Sequence, residues 1–293
     1  MTPADAAGPP ERTRFIGVLT PYVRGAYFPE ILEGIAEAVY ERGLRLVLSP
    51  TQHEHGREAS LLDRQMQGAT DGAVVILPEE TREELEQALS DRYPFVVVDP
   101  LLPLGDRIPT VVGAHRSGAD QAMRHLLTLG HRRISAITGP PGWLATEERR
   151  AAYHAALTAA GIQPEPALEV ASDFEAGPAA LAAATLLDLP VSPTAIFAFN
   201  DSIAFGVLRA ARARGLRVPE DLSVVGFDDI EPATLVTPAL TTVRQPLGEM
   251  GRTAVNVLVR LLEGRASETP HIELATRLVV RESTAPPRRS AAG

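Results

Sequence analysis

"FIGVLT" (15–20) is a short apolar run, and "PEILEGIAEAVYERG" (29–43) follows it after a brief interval. In the second stretch, apolar residues recur at the spacing of one helical face, and Gly43 is placed to end the helix. The residues of this face are Ile31, Leu32, Ile35, Ala36 and Val39. The two stretches together predict a buried strand followed by an amphipathic helix.

The same unit recurs along the next part of the chain. Strands that are apolar along their whole length are typical of a parallel sheet covered by helices on both faces. The alternation therefore predicts a doubly wound parallel sheet. Its further segments are the strand "LRLVLS" (44–49), a helix through Leu61, Leu62 and Met66, "DGAVVIL" (71–77), the helix "REELEQAL" (82–89) and "PFVVVDP" (94–100).

A break at 100–113, which is rich in proline and has no helical pattern, separates this region from a second α/β region. Alternation restarts with the helix "SGADQAMRHLLTLG" (117–130) and the strand "ISAITG" (134–139). It continues through the strands "AIFAFN" (195–200) and "LSVVGF" (222–227). The sequence thus predicts two similar α/β subdomains in tandem.

The last helix (247–264) and the last strand, "IELATRLVVRES" (272–283), must join sheets that are already built. We therefore expect the chain to cross between the subdomains near 243–246 and again near 270. The predicted N-terminal subdomain is 14–113 plus 246–271, and the predicted C-terminal subdomain is 114–245 plus 272–285. Residues 1–13 and 286–293 are expected to be a flexible lead-in and a flexible tail.

Composition excludes several functional classes. The chain has 293 residues, of which 45% are apolar, a formal net charge of -9 and no cysteine. Such an acidic chain is a poor candidate for gripping nucleic-acid phosphates over a broad face. Without cysteine, neither disulfides nor thiolate metal sites can form. No secretory signal and no apolar run of membrane-spanning length is present, so we expect a cytoplasmic protein with no membrane partner.

Polar side chains collect where the predicted strands end, which is where open α/β sheets bind ligands. Acids and amides at such an edge, with Arg149 from the helix after "ITG", suit the hydroxyls of a small neutral polyol. Nearby aromatic residues could pack on the C–H face of a sugar ring. The strand-end residues are Pro21, Asp99, Asp173, Asn200, Asp201, Asp228 and Asp229, and the aromatic residues are Tyr22, Tyr27, Phe28, Trp143 and Phe174.

Several of these residues also have a purely structural interpretation, and Trp143 could simply cover a loop. One of Asn200 and Asp201 could be only the N-cap of the helix that follows. Asp99, which precedes a proline, could simply end a strand. Arg149 lies in "EERR" (147–150), and charged residues on a helix usually face solvent. Asp229 could cap a short turn.

Catalytic and cofactor motifs are absent from the sequence. There is no GxSxG elbow, no GxxxxGK[ST] loop, no HExxH, and no GxGxxG after the first strand. "HEHG" (53–56) brings two histidines together, but no third metal ligand is evident. We therefore expect no enzyme, no cofactor and no metal.

Several long stretches resemble the LacI/GalR transcriptional regulators. The resemblance runs in order from about residue 14 to 287. It implies the effector-binding core of that family, with a fold shared with periplasmic sugar-binding proteins of type I: two Rossmann-like subdomains joined by three crossovers. The matching stretches are "LLTLGHRRISAITGP" (126–140), "AIFAFNDSIAFGVLRA" (195–210), "VPEDLSVVGFDDI" (218–230), "LTTVRQPLGEMGRTAV" (240–255) and "LVVRESTAPP" (278–287).

The same resemblance implies a set of effector contacts. Arg149 matches an arginine that grips sugar hydroxyls, and Phe174 matches an aromatic residue that stacks on the ligand. Asp228 is expected to face the ligand, whereas Asp229 serves the turn. The full set is Pro21, Gly25, Tyr27, Phe28, Asp99, Arg149, Phe174, Asn200, Asp228 and Gln245.

Two departures from the family pattern bear on function. Many members read "NPFF" where this chain has "GAYF" (25–28), so Gly25 removes a polar side chain at the expected ligand site. Regulators of this family also begin with a helix-turn-helix domain, whereas thirteen residues precede the core here. We expect operator DNA to be a partner only through such an N-terminal domain, which this chain lacks.

Three functional hypotheses follow. The first is the effector-binding and dimerisation core of a LacI-type regulator, in which a small ligand, most simply a sugar, closes the cleft of a homodimer. The second is a solute-binding protein of a sugar transporter, which would be exported and monomeric. The third is an enzyme that uses paired acids for glycoside chemistry, although no acid with a raised pKa opposite a nucleophile is recognisable.

Overall fold

A computed structural model describes residues 13–52, 68–90, 93–265 and 271–288. The helix predicted through Leu61, Leu62 and Met66, and the histidine pair in "HEHG", lie outside the described residues. None of the described helices is long and apolar enough to cross a membrane.

The first subdomain contains a six-stranded sheet in the order β11-β5-β4-β3-β1-β2, in which every pairing is parallel. Three described helices belong to it: α1 (Tyr27–Glu41), α2 (Arg82–Ser90) and α8 (Leu247–Leu262). The strands are β1 (Phe15–Thr20), β2 (Arg45–Pro50), β3 (Gly72–Ile76), β4 (Phe95–Val98), β5 (Thr110–Gly113) and β11 (His271–Leu274).

The second subdomain repeats this topology. Its sheet has the order β12-β10-β9-β8-β6-β7, and only β12 runs antiparallel to its neighbour among the described strands. The strands are β6 (Ile134–Thr138), β7 (Glu169–Ala171), β8 (Ala195–Ala198), β9 (Ser223–Asp228), β10 (Thr241–Arg244) and β12 (Arg277–Val279). The helices are α3 (His115–Thr128), α4 (Leu144–Ala159), α5 (Ala176–Leu187), α6 (Asp201–Ala213) and the short α7 (Pro232–Leu235).

The predicted architecture of two parallel-sheet subdomains joined by three crossovers is confirmed. The chain passes from the first sheet to the second after β5 and returns to the first subdomain between β10 and α8. It crosses a third time between β11 and β12. The central strands are buried throughout, as expected for parallel sheets covered on both faces.

The last strand differs from the prediction. The single strand expected over 272–283 is two strands, because β11 pairs with β5 of the first sheet and β12 pairs with β10 of the second. Each sheet offers an unpaired edge, and the chain fills both edges by crossing at residues 275–276. The predicted boundary between 271 and 272 is therefore wrong, since 272–274 belong to the first sheet.

The predicted flexible ends lie largely outside the described residues, but their inner ends are held in place. The backbone N–H and the hydroxyl of Thr13 donate to Asp71 Oδ1 at 2.7 and 2.8 Å. At the other end, Arg288 lies 2.7 Å from Asp221.

Helices α1 and α8 pack closely through glycines. The buried face of α1 includes Ile31, Ile35 and Val39 as predicted, but Ala36 is exposed and Gly34 is buried instead. A β-carbon at Gly34 would overlap the carbonyl group of Gly248 in α8, and one at Gly251 would overlap the carbonyl oxygen of Ile31. The two backbones therefore touch, which allows α8 to pack on the first sheet although five of the six described strands of the second sheet precede it in the chain.

This close approach predicts that Gly251→Ala destabilises the protein by about 1–3 kcal/mol, because the added methyl group has to push the helices apart. The matched control is Gly248→Ala in the same helix, where the nearest atom would be 3.7 Å from the new β-carbon. The control should be neutral or stabilising by up to about 1 kcal/mol, through helix propensity. Urea denaturation of the two variants measures the difference, and equal stabilities would contradict the tight contact.

Candidate functional site

A cavity of about 610 Å³ lies between the two subdomains, at the carboxyl ends of their strands. Its volume falls in the range of roughly 300–1,000 Å³ that is usual for small-molecule sites. Principal lining residues of the first subdomain are Tyr22, Arg24, Gly25, Tyr27, Phe28 and Asp99. Those of the second are Trp143, Arg149, Asp173, Phe174, Asn200, Ser202 and Asp228.

Most of the predicted ligand contacts line this cavity. They are Gly25, Tyr27, Phe28, Asp99, Arg149, Phe174, Asn200 and Asp228. Pro21 and Gln245 do not line it. The buried Pro21 accepts a backbone hydrogen bond from Gln52, and Gln245 lies at the crossover before α8. The role of each residue toward a ligand stays a prediction.

Asp99 is held at the floor of the cavity by residues of both subdomains. Tyr27 donates to its Oδ2 at 2.5 Å, and Nε2 of His115 lies 2.8 Å from its Oδ1. Burial raises the pKa of Asp99, but His115, Tyr27 and Arg149 outweigh that effect and leave the pKa below its ordinary value. Asp99 has a positive φ of 53°, so it does more than end a strand: the chain turns sharply there.

Arg149 is buried rather than solvated, which contradicts the interpretation of "EERR" as a surface charge run for this residue. Its guanidinium lies 3.8 Å from the centre of the Phe227 ring and donates to the carbonyl oxygen of Phe199. A terminal nitrogen of Arg149 is 3.2 Å from Nδ1 of His115 and 3.9 Å from Asp228 Oδ1. Among the described residues, Arg149 Nε has no hydrogen-bond partner.

Asp228 is an acid of the cavity lining with a raised pKa. Burial raises its pKa to about 7, although Arg149 and the hydrogen bond from Gln245 Nε2 at 2.8 Å act in the opposite direction. Asp201 lies behind it, where burial and the charge of Asp228 raise the pKa of Asp201 well above its ordinary value. The floor therefore has too few cations for its carboxylates, and it retains a proton.

Of Asn200, Asp201 and Asp229, which follow β8 and β9, the first lines the cavity and the other two stabilise the fold. Asn200 is an N-cap, since its Oδ1 accepts from the backbone N–H of Ile203 at 2.8 Å, yet it also lines the cavity. Asp201 is structural, because its carboxylate accepts from Ile230 N–H and from the Thr242 hydroxyl. Asp229 is absent from the cavity lining and forms ion pairs with Arg244 and Arg281.

Aromatic side chains form walls on both sides of the cavity. In the first subdomain, the ring of Phe28 lies edge-on to Tyr22 at 6.1 Å and to Tyr27 at 5.3 Å. In the second, Trp143 and Phe174 have ring centres 5.6 Å apart. A flat apolar face bound between these walls would contact aromatic surface on both sides.

The two subdomains are in contact at the mouth of the cavity. The backbone N–H of Leu144 donates to the carbonyl oxygen of Leu101 at 2.7 Å. Arg24 lies 3.8 Å from Glu175 across the cleft and sits over the ring of Tyr22. Both charged side chains are mostly exposed, so this ion pair contributes little stability.

Sequence reasoning missed His115 and Arg24. His115 follows the irregular stretch that separates the subdomains, and Arg24 lies in the loop after β1. No periodicity or motif marks either residue. The only available signal was their position, since both lie in connections that lead to the cleft.

Comparison with known proteins agrees with this geometry. Residues 123–284 match the family described as periplasmic binding protein-like domain. The chain is 33% identical to the ribose operon repressor of Escherichia coli (strain K12) over 274 residues, which cover 93% of this chain and 82% of that protein. It is 32% identical to the transcriptional regulator DegA of Bacillus subtilis (strain 168), covering 94% and 82%.

Solved structures give the same result. A complex of the transcriptional regulator CelR with cellobiose superposes with a TM-score of 0.83 at 33% identity, covering 93% of this chain and 85% of that one. The lac repressor dimer bound to operator and an anti-inducer superposes with a TM-score of 0.83 at 26% identity, covering 94% and 96%.

Two parallel-sheet subdomains around a polar cleft define a periplasmic-binding-protein-like protein. Within that class, the chain belongs to the LacI family of transcriptional regulators.

The raised pKa of Asp228 predicts a pH-dependent stability. Between about pH 4, near the pKa of an unfolded aspartate, and about pH 7, the folded protein retains a proton that the unfolded chain releases. Stability should therefore fall as pH rises through this window. Asp228→Asn removes this titration, so the variant should gain stability relative to wild type by up to about 1.4 kcal/mol per pH unit.

Denaturant unfolding at a series of pH values measures this contrast. Asp221→Asn is the matched control, because the pKa of Asp221 is lowered by its hydrogen bonds with Arg217. The difference in the free energy of unfolding between Asp221→Asn and wild type should change with pH in the opposite direction, and this change should occur at lower pH. If the difference in unfolding free energy between Asp228→Asn and wild type is the same at every pH between about 4 and 7, Asp228 carries no proton in that range.

Proposed function

We propose that this chain is the ligand-sensing core of a LacI-type transcriptional regulator. A small uncharged polyol, most simply a sugar, binds in the cleft between the subdomains and controls DNA binding by an N-terminal helix-turn-helix domain. The observation that carries the proposal is the cavity floor, where Asp99, Arg149 and Asp228 meet from both subdomains.

Hydrogen-bonding capacity at the floor supports a polyol. Among the described residues, nothing bonds to Asp228 Oδ2, and Asn200 Nδ2 likewise has no protein partner. The floor thus offers an acceptor and a donor. A hydroxyl group both donates and accepts, so neighbouring hydroxyls on one ring can satisfy such a set. The aromatic walls can cover the C–H faces of that ring.

The charges of the cavity favour a neutral ligand over a phosphorylated one. Its acidic side chains outnumber the two arginines, and Arg149 is already engaged within the protein. An anionic ligand would add charge to a desolvated acidic site without a free cation to pair with it. The acidic lining residues are Asp99, Asp173, Glu175 and Asp228, and the arginines are Arg24 and Arg149.

Regulation requires only that the ligand binds one arrangement of the subdomains better than another. Because the floor is built from both subdomains, a ligand that contacts Asp99 and Asp228 together favours the arrangement in which they are close. Among the related structures, one regulator is in complex with cellobiose and another is bound to operator DNA, which supports this mode of action.

The alternatives receive less support. The relatives are transcriptional regulators rather than transport proteins or enzymes, so the solute-binding and glycosidase hypotheses are not favoured. By the same comparison we propose that the chain acts in the cytoplasm, where transcription occurs. No described group of three or more histidine, aspartate or glutamate side chains is arranged to hold a metal ion.

Thermal unfolding against a sugar panel tests the proposal. D-ribose and cellobiose are compared with D-ribose 5-phosphate and glucose 6-phosphate. A neutral sugar at a hundred times its Kd should stabilise the protein by about 2.7 kcal/mol and raise the Tm by a few degrees. The phosphorylated sugars should give no shift.

Asp228→Asn should abolish the shift, because the single amide oxygen accepts from Gln245 and the amide nitrogen, a donor, then replaces the acceptor Oδ2 that faces the ligand. Asp221→Asn, which lies outside the cleft, should retain it. Stabilisation by a phosphorylated sugar alone, or by no sugar in the panel, would contradict the proposed ligand class.

We also propose that the protein is a homodimer. Three large apolar side chains are unusually exposed: Tyr40 at 83%, Leu181 at 75% and Leu235 at 73%. They lie on α1, α5 and α7, so both subdomains offer apolar surface to a partner. The dimeric lac repressor among the related structures supports the same assembly.

Leu181→Glu and Leu235→Glu should each weaken the dimer at least tenfold, because burial of a charge in an apolar interface is costly. Sedimentation velocity at several protein concentrations measures the effect. Val191→Glu, at a position that is 64% exposed, is the control and should sediment like wild type. A monomeric wild-type protein would contradict the proposal.

A further inference from the structure

His115 occupies a distinctive position in the chain. It is the first residue of α3, immediately after the first crossover, so it moves with the second subdomain. Its imidazole is nevertheless buried at the floor of the cleft, 4% exposed, and reaches Asp99 of the first subdomain. The side chain therefore spans the boundary across which a hinge motion would occur.

The contacts of His115 form a continuous chain through the cavity floor. Tyr27 bonds to Asp99, and Asp99 bonds to Nε2 of His115. Nδ1 of His115 faces the terminal nitrogen of Arg149 at 3.2 Å. The first two residues belong to the first subdomain and the last two to the second.

In this series of hydrogen bonds, the arginine at one end determines which atoms donate and which accept. An arginine can only donate, so Nδ1 of His115 accepts from Arg149. Nε2 then carries the hydrogen and donates to the carboxylate of Asp99. Phe227 packs against the imidazole and also lies under Arg149, which leaves both groups little freedom to reorient. A single ring thus sets the distance between an anion of one subdomain and a cation of the other.

We propose that His115 is a positioning residue that fixes the resting angle of the cleft and the spacing of Asp99 and Arg149. Its effect on the resting angle does not depend on the identity of the ligand. Its effect on binding rests on the proposed function, since Asp99 and Arg149 must then contact the effector.

Two substitutions separate this role from simple packing. His115→Phe keeps a buried ring but offers neither donor nor acceptor, so Asp99 and Arg149 lose their link. His115→Gln retains both functions, because its amide nitrogen can donate to Asp99 while its oxygen accepts from Arg149. A role in packing alone would tolerate the phenylalanine at least as well as the glutamine.

The resting angle can be measured without any ligand. The chain contains no cysteine, so Val23→Cys and Gly177→Cys give unique sites for a pair of spin labels. Both positions are exposed, and they follow β1 and begin α5 on opposite sides of the cleft mouth. Labelled protein is mixed with an excess of unlabelled protein, so that a dimer carries labels on one protomer, and double electron–electron resonance then reports the distance between the subdomains of that protomer. We expect His115→Phe to broaden the distribution toward longer distances and His115→Gln to keep that of wild type.

The matched control is His125→Phe in the same helix. His125 is partly buried and bonds to the hydroxyl of Thr284, away from the cleft. Its replacement should leave the distance distribution unchanged even where it lowers the Tm. A wild-type distribution for His115→Phe, or equal broadening by phenylalanine and glutamine, would overturn the proposal.

The binding experiment uses D-ribose or cellobiose, whichever stabilises the wild-type protein. His115→Phe should weaken its affinity roughly 10- to 100-fold, because a buried donor and a buried acceptor lose their partners. His115→Gln should bind within a few fold of wild type, and full affinity of His115→Phe would overturn the role in binding. If neither sugar binds wild type, the proposed ligand class fails, while the distance measurement still decides whether His115 sets the cleft angle.

Discussion

The crossovers between the two sheets are packed against one another, and the geometry of the cleft depends on that contact. Gly113 has no side chain, and this leaves space for the amide oxygen of Gln245 from the second crossover. The hydroxyl of Thr276 in the third crossover donates to the carbonyl oxygen of Ala114 in the first at 3.0 Å. Because Gln245 also bonds to Asp228, the hinge is linked directly to a carboxylate of the cavity floor. The connection between the hinge and the cavity floor therefore runs through Gln245.

Folding of the cavity floor is opposed by backbone strain and by the burial of carboxyl groups. Both are expected of a site whose polar groups are oriented before a ligand binds. Asp99 and Asp228 both have positive φ, a conformation that is uncommon outside glycine and asparagine and that stores strain. Asp201 and Asp228 are both buried, Arg149 is the cation beside Asp228, and burial raises the pKa of both acids. Burial of the large apolar cores of the two sheets supplies the favourable free energy that offsets this strain and desolvation. Strain and burial of charge are thus concentrated where the two subdomains meet.

Features that depend on residues close together in the sequence can be predicted from it, whereas contacts between distant residues cannot. Strands, helices and strand ends are local patterns, so the tandem α/β arrangement and the positions of Asp99, Asn200 and Asp228 could be predicted. Contacts between the subdomains depend on how two sheets meet, and periodicity does not encode that. The bond from Gln245 to Asp228 and the position of His115 between the subdomains therefore cannot be predicted from the sequence pattern. The split of the last strand was missed for the same reason, since it depends on two open sheet edges.

The polar groups at the floor bond to other protein groups and also face the cavity. The bonds within the protein restrict which ligands the remaining atoms can bind. Arg149 uses its terminal nitrogens on Phe199 and His115, and Asn200 uses its oxygen to cap a helix. What remains for a ligand is one face of each group, already oriented by its protein partners. A ligand that satisfies these faces replaces water without reorganising the protein, so its binding energy is available to favour one cleft angle over another. A ligand that contacted only one subdomain would bind both angles equally well and would carry no signal. The coupling between binding and regulation thus depends on the fact that the carboxyl groups of the floor and the aromatic walls come from both subdomains.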